Sequence, residues 1–325
     1  MINGRNSYRV QHAAGTKSHY NPRTMIKFTK MHGIGNDYVY VNGFQVNIDD
    51  PKAMAIKMAD RHYGIGGDGL ILVLPPEAGV NAQVRMRMFN ADGSESEMCG
   101  NGVRCVAKYA FDHQITDAKP MLVQTGNGVL PIDYTVDSNG KMALATVNMG
   151  KPILESAKVP VRVPGVAESQ TVVDVDAAGM IDWSEHDIDS GWVEACGLDF
   201  RITCVSMGNP HVMLFCKDVA AIPLEAVGAL FERHAWFPNR INVHFVQIHS
   251  RDEVTMRTWE RGTGITLACG TGASAVCVAG ALTNRTNRKV LAHLPGGDLT
   301  LDWRDDDHLY MTGSATEVFS GEWPE

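Results

Sequence analysis

Cys99-Gly100-Asn101-Gly102 and Cys269-Gly270-Thr271-Gly272 stand 170 residues apart in this chain. Each places a cysteine ahead of a glycine-flanked stretch that runs into small and apolar residues at helical spacing. These are Val103, Val106, Ala107 and Ala110 after the first, and Ala273, Val276, Cys277 and Gly280 after the second. The spacing predicts two helices, each entered through a cysteine. A helix start carries free N–H groups and partial positive charge, which attract an anion and lower the pKa of a thiol. One such site points to a cysteine nucleophile or base. Two in matched halves point to one substrate held between two thiols.

The match extends outward from the cysteines. At the same offset of 170, Val84-Arg85-Met86-Arg87-Met88-Phe89-Asn90 overlays Val254-Thr255-Met256-Arg257-Thr258-Trp259-Glu260. Asp60-Arg61-His62 has a counterpart in Glu232-Arg233-His234 at 172, and Gly35-Asn36 has one in Gly208-Asn209 at 173. Anchors in the same order at a nearly constant offset indicate an internal duplication, with a period too long for a solenoid.

A chain of 325 residues with 44% hydrophobic content can bury a sizeable core and most naturally forms two domains. No apolar run reaches membrane-spanning length. Seven cysteines, an odd number without CxxC spacing, fit a reducing compartment better than a secreted disulfide framework. The net charge of −8 argues against nucleic acid as a partner, since phosphate binding needs a basic face. Residues 1–24 hold Arg5, Arg9, Lys17 and Arg23 but no acid. They read as a disordered extension or a misplaced start, rather than an organelle transit peptide, because they lack an amphipathic arginine face. Between Val163 and Phe200 there are nine acids and no lysine or arginine. The acids lack the glycine-centred spacing of a calcium loop, so this segment reads as a solvated acidic excursion and not a metal site.

The remainder is mostly short β-rich runs bounded by turn residues: Ile71 to Leu74, Val84 to Phe89, Met121 to Val123, Leu144 to Val147, Val212 to Phe215 and Val243 to Ile248. Helical stretches are fewer: Pro51 to Arg61, Leu224 to Arg233, and the two that follow the cysteines. The pattern is α+β, without the regular strand–helix alternation of a doubly wound fold. Gly64-Ile65-Gly66-Gly67-Asp68-Gly69 formally matches GxGxxG, but a helix precedes it and a strand follows. That reverses the order a dinucleotide site requires, and the glycines read as a turn that lets backbone approach a ligand.

Several chemistries use cysteine. Nucleophilic catalysis needs one cysteine and a base such as His211, and leaves the second thiol without a task. A redox pair or a zinc site does not fit the spacing. Stereoinversion employs both thiols: a thiolate removes a proton from a carbon, and a thiol on the opposite face returns one. The amides at the helix starts would hold a carboxylate beside the reacting carbon.

The stretches Phe28-Thr29-Lys30-Met31-His32-Gly33-Ile34-Gly35-Asn36-Asp37-Tyr38, Asn90-Ala91-Asp92-Gly93-Ser94 through Cys99-Gly100-Asn101-Gly102, Gly208-Asn209-Pro210-His211, and Glu260-Arg261-Gly262 through Cys269-Gly270-Thr271-Gly272 resemble diaminopimelate epimerase, from about Met25 to the C-terminus. The cysteine strings alone are shared with proline racemase and hydroxyproline epimerase. The Asn-Ala-Asp-Gly-Ser and Glu-Arg-Gly contexts point to the diaminopimelate family. That resemblance implies interconversion of LL- and meso-2,6-diaminopimelate, on the route to lysine and peptidoglycan, without pyridoxal phosphate, other cofactor or metal. It implies two pseudo-symmetric α+β domains, each a curved antiparallel β-sheet or barrel around a central helix, with the active site in the cleft between them. The halves expected are residues 25–147 with 311–325, and residues 148–310. By the same resemblance Cys99 and Cys269 are the acid/base thiols, His211 assisting the first and Glu260 the second. Gly100, Asn101, Gly270 and Thr271 would hold the carboxylate at the inverted centre. Asn36, Asn90, Asn209, Asn242, Glu260 and Arg261 would read the distal end. A cytoplasmic homodimer is implied, acting on a small amino acid.

Two features depart from the family pattern. Many members have glutamine where this chain has Gly69, and the acidic excursion exceeds what the family leads one to expect. Two other readings compete: a racemase of another amino acid of the proline or hydroxyproline type, and a non-catalytic member that binds an amino acid or a protein. Arg261 and the asparagines disfavour the first, because they imply a second charged end on the substrate. Two poised thiols disfavour the second.

Overall fold

The computed structural model describes residues 25–186 and 188–324, so the expectations for residues 1–24 lie outside the described residues. Following hydrogen bonds from strand to strand, one ribbon runs from Thr316–Pro324 through Met25–Gly33, Asn36–Asn42, Gly69–Leu74, Val84–Asn90, Met121–Thr125, Gly128–Val136 and Met142–Asn148. It continues across an antiparallel seam to Leu309–Ser314, then Gly297–Trp303, Lys289–Leu294, Glu253–Glu260, Asn242–Ser250, Pro210–Cys216, Asp199–Ser206 and the short Val175–Asp176. Each half repeats the same sequence of pairings, as the duplicated motifs predict. Pairing is antiparallel except at two places per half: Asn36–Asn42 with Gly69–Leu74, Val84–Asn90 with Met121–Thr125, and their counterparts in the second half.

A parallel pair needs a crossover, and a helix supplies each one. The crossovers are α1 (Pro51–Ala59) and α2 (Gly100–Asp112) in the first half. In the second, after the short α3 (Gly191–Cys196), they are α4 (Leu224–Glu232) and α5 (Gly270–Leu282). Helices α2 and α5 lie inside the two curved sheets. Most of their residues are buried; α5 is apolar nearly all round, whereas α2 is amphipathic and carries Asn101, Arg104, Lys108 and Asp112 among its apolar residues. Helices α1 and α4 cover the opposite sheet faces. Strand alternation makes this two-layered core: Ile71 and Val73 pack toward α2, while Leu70 and Leu72 pack toward α1. Buried on both faces, such a strand reads as a continuous apolar run.

The acidic excursion is more integrated than a solvated loop. Val163, Val172, Ala177, Met180, Ile181 and Cys196 join the core under α4. Asp174 and Asp199 both pair with Arg285, at 2.8 and 2.7 Å, and Arg201 adds a third bridge to Asp174 at 3.0 Å.

Candidate active site

Cys99 is the N-cap of α2. Its backbone is extended and its Sγ accepts from Gly102 N at 3.4 Å. Cys269 takes the same place on α5, with extended backbone and its Sγ 3.7 Å from Thr271 Oγ1. Both helices begin against one residue of the seam. A methyl on Gly100 would lie 2.8 Å from Met311 Cε, and one on Gly270 would lie 3.1 Å from Met311 Sδ. The side chain of Asn101 reaches toward Gly270. Glycine at these two positions lets the helix tips approach one another, which places both cysteines on one floor.

Above that floor is a cleft of about 1090 Å³ lined by both halves. Asn36, Asn90 and Glu260 line it, together with Ala268, the residue before Cys269. Asn36 donates through Nδ2 to Asp68 Oδ2 at 2.7 Å and leaves its Oδ1 to Cys99, whose Sγ lies 3.5 Å away. Asn90 is held by Ser94 Oγ at 3.0 Å. Glu260 accepts from Thr266 Oγ1 at 2.7 Å and lies close enough to Cys269 for its charge to oppose ionisation of that thiol.

Asn209, His211, Asn242 and Arg261 are not among the residues that line this cleft. Asn242 is buried, its Nδ2 donating to Pro210 O at 2.8 Å and its Oδ1 accepting from Arg261 N at 2.9 Å, so it splices two strands. The exposed Arg261 guanidinium donates to Asn239 O at 3.1 Å. His211 is fully buried, with Nε2 on Asn209 Oδ1 and Nδ1 on His244 Nε2, both at 2.9 Å. Both ring nitrogens are therefore occupied, and neither by Cys99. Its partner His244 faces Gly272 in the first turn of α5, so the histidine pair sits behind the second helix rather than the first.

Burial decides the electrostatics. A helix start favours a thiolate by ~0.3–1 kcal/mol, up to ~2 in partly buried geometries, whereas removing an ion from water costs several kcal/mol. Burial accordingly raises the Cys99 thiol, although the amides of Gly102 and Asn101 and the charge of Arg104 oppose it. Cys269 is raised well above the ordinary thiol range by burial, and Glu260 adds to the effect. The sequence expectation of lowered thiols is thus reversed in the free protein. Burial also raises Glu260, holds His211 well below its ordinary value, and lowers His244 to about 3. Both imidazoles are neutral.

Cleft residues that sequence reasoning missed include Asp37, Tyr38, Arg61 and Asp68. Arg61 grips Asp37 through two nitrogens, at 2.8 and 3.2 Å, and reaches Asp68 at 3.0 Å; Lys30 also contacts Asp37. Their signal was present in two places, Asp37 directly after Asn36 and Asp68 inside the glycine turn. Gly69 sits at φ +155, where a Cβ would run into Phe89 O and come within 2.9 Å of Tyr38 Cε1. No side chain fits that backbone, and Asp68 and Tyr38 supply the wall beside it.

The model of the diaminopimelate epimerase family matches residues 28–155 and 203–318, leaving out the whole of the acidic excursion. A diaminopimelate epimerase of Agathobacter rectalis is 48% identical over 298 residues, 91% of this chain and 99% of that protein. One from Desulfovibrio desulfuricans is 48% identical over 92% of this chain and 98% of its own. Among solved structures, a PhzF-family phenazine biosynthesis protein of Bacillus anthracis aligns with a TM-score of 0.64 at 16% identity, over 93% of this chain and 100% of that one. A hydroxyproline epimerase of Agrobacterium vitis aligns at 0.57 and 14%, over 92% and 91%. These distant likenesses share the fold of two curved sheets, each around a helix. With the thiols on paired helix tips and relatives matching nearly end to end, the chain belongs to the diaminopimelate epimerase family.

Proposed function

We propose that this chain is an isomerase that inverts one α-carbon of LL-2,6-diaminopimelate to give the meso form, as a step toward lysine and peptidoglycan. The observation that carries this reading is the convergence of two cysteine-capped helix tips on one residue beneath one cleft. A thiolate on one side takes the α-proton, and the thiol on the other side delivers its own proton to the opposite face. The thiol that gave its proton is then the thiolate, so the reverse reaction uses the same pair with roles exchanged. A positioned acid or base of this kind contributes ~10²–10⁴-fold.

The free amides of Gly100, Asn101, Gly270 and Thr271 would bind the α-carboxylate and the charge that develops beside it. Glu260 would attend Cys269, and His211 would hold Asn209 toward the substrate. Asn36, Asn90, Asn209, Asn242, Glu260 and Arg261 would recognise the distal amino-acid end, where neutral amides and an arginine suit a zwitterion and penalise analogues lacking it. A proline-type substrate has no such end. This reading calls on no cofactor or metal.

The halves are assigned as residues 25–147 with 311–325, and 148–310, a boundary that falls within the seam strand Leu309–Ser314. Among the described residues no helix is long and apolar enough to cross a membrane. A cytoplasmic location and a homodimeric state rest on the family resemblance.

The test is incubation of reduced protein with LL-diaminopimelate in D₂O. Deuterium at one α-carbon with appearance of the meso form, lost in both Cys99→Ala and Cys269→Ala, is the expected result. Exchange with proline or hydroxyproline alone would move the protein to another substrate, and turnover by either variant would sink the two-thiol mechanism.

A further inference from the structure

Behind the tip of α2 lies a cation without an anion. Arg104 is 0% exposed. Its guanidinium donates to Asn101 Oδ1 at 2.9 Å, Gly100 O at 3.1 Å and Ser314 O at 3.4 Å, and rests 3.8 Å from Met311 Sδ. Among the described residues no carboxylate pairs with it, and the ionisable groups facing it are Cys105, Cys99 and Tyr40. Guanidinium cannot shed its proton in a protein, so this group remains charged. Burying an uncompensated charge is costly, and an unpaired one close to a site calls for an explanation.

The duplication supplies a control. The residue equivalent to Arg104 in the second half is Ser274, equally buried, whose hydroxyl donates to Gly270 O at 2.8 Å. Arg104 and Ser274 therefore bond to the same carbonyl of the first helical turn. A hydroxyl is sufficient to brace α5, so bracing does not account for a guanidinium on α2. What Arg104 adds is fixed positive charge beneath one thiol only.

The second half carries the opposite sign. Glu260, on strand Glu253–Glu260, opposes the ionisation of Cys269 through its negative charge. The groups facing Cys99 are Arg104 and Cys105 from its own helix, Glu260 from across the cleft, and Tyr38 and Tyr40 from strand Asn36–Asn42. Those facing Cys269 are Glu260 and Thr271, with the neutral His244 behind Gly272.

We infer that Arg104 is the built-in counter-charge of the Cys99 thiolate, a positioning residue that makes Cys99 rather than Cys269 the thiol that ionises first. Its catalytic consequence rests on the two-thiol reading: Cys99 S⁻ takes the α-proton, the Cys269 S–H proton enters the opposite face, and Cys269 is left as the thiolate. The charge asymmetry itself does not depend on turnover.

The experiment is iodoacetamide alkylation of the full chain across pH, with Cys99 and Cys269 followed separately by peptide mass spectrometry. For each cysteine the measured quantity is the pH at half-maximal rate, which separates ionisation from access. In the wild type the Cys99 midpoint is expected below that of Cys269. Arg104→Gln should raise the Cys99 midpoint by about one unit, a tenfold slowing below it, and leave Cys269 in place; Arg104→Lys should restore most of the difference. A folded Arg104→Gln protein with an unmoved Cys99 midpoint, or with both midpoints moved equally, overturns the inference. If that variant does not fold, the wild-type order decides: a lower midpoint at Cys269 overturns it. Ordered midpoints in a protein that fails to epimerise diaminopimelate would uphold the inference while the substrate assignment falls.

Discussion

His211 and His244 form a buried pair whose ring nitrogens are spent on each other, on Asn209 and on Thr258. Neither imidazole can carry charge there, which gives a pH signature. Each ionises in the unfolded chain near 6.5 but far lower in the native state, about 3 for His244. A group with a depressed native value stabilises fully above its unfolded value and loses that contribution as pH falls through the native one. The thermal midpoint should therefore decline from pH 6.5 downward, and His244→Gln should flatten that decline; an equally steep acid limb in the variant would count against the pair as its source. The pair was half legible. His211 stands out in Gly208-Asn209-Pro210-His211, whereas His244 is one polar residue in an apolar strand, and only the register of that strand against α5 gives it meaning. Arg104 was hidden for a similar reason, because a charged residue in a helix reads as a solvated face.

The starts of α2 and α5 are alike in sequence but not in what lies beneath them. A Cβ on Gly102 would meet Ile71 Cδ1 at 2.9 Å, the far end of a flexible chain. A Cβ on Gly272 would come within 2.8 Å of His244 Nε2 and 3.0 Å of Cys269 Sγ, and that ring is held by two hydrogen bonds. Gly272→Ala should then cost ~1–3 kcal/mol, the usual range for overpacking, and Gly102→Ala clearly less. Urea unfolding of the two variants makes the comparison, and equal losses would show that the histidine does not clamp α5. Both helices could be found from sequence, since a cysteine, glycines and small apolar residues recur at one offset. The parallel pairing on either side of them could not, because it joins residues tens of positions apart and leaves no local pattern.

Across the whole molecule, Arg285 does for the acidic excursion what no apolar contact does alone. It bridges Asp174 and Asp199 and stacks over Phe215 with its guanidinium 4.7 Å from the ring centroid. Partly exposed ion pairs contribute ~0.2–1 kcal/mol each, so Arg285→Met should lower stability modestly while freeing the segment between residues 163 and 198. Limited proteolysis should cut there sooner, with KM unchanged because the cleft is elsewhere. Unaltered cleavage would mean that the buried valines suffice. The sequence showed the charge of this segment but not its anchor, since Arg285 lies 111 positions after Asp174.

The seam between Met142–Asn148 and Leu309–Ser314 has a mechanical consequence. It joins the two sheets into one surface, so it works like the spine of a book whose covers are the two halves. If the halves rock against one another, displacement grows with distance from the spine. Met311 belongs to the seam, and both thiol-bearing helix tips rest on it. The reacting groups therefore sit near the axis, where leverage is least, while parts of the cleft farther from the seam swing more. The entrance can gape for a substrate while the spacing of the two sulfurs scarcely alters.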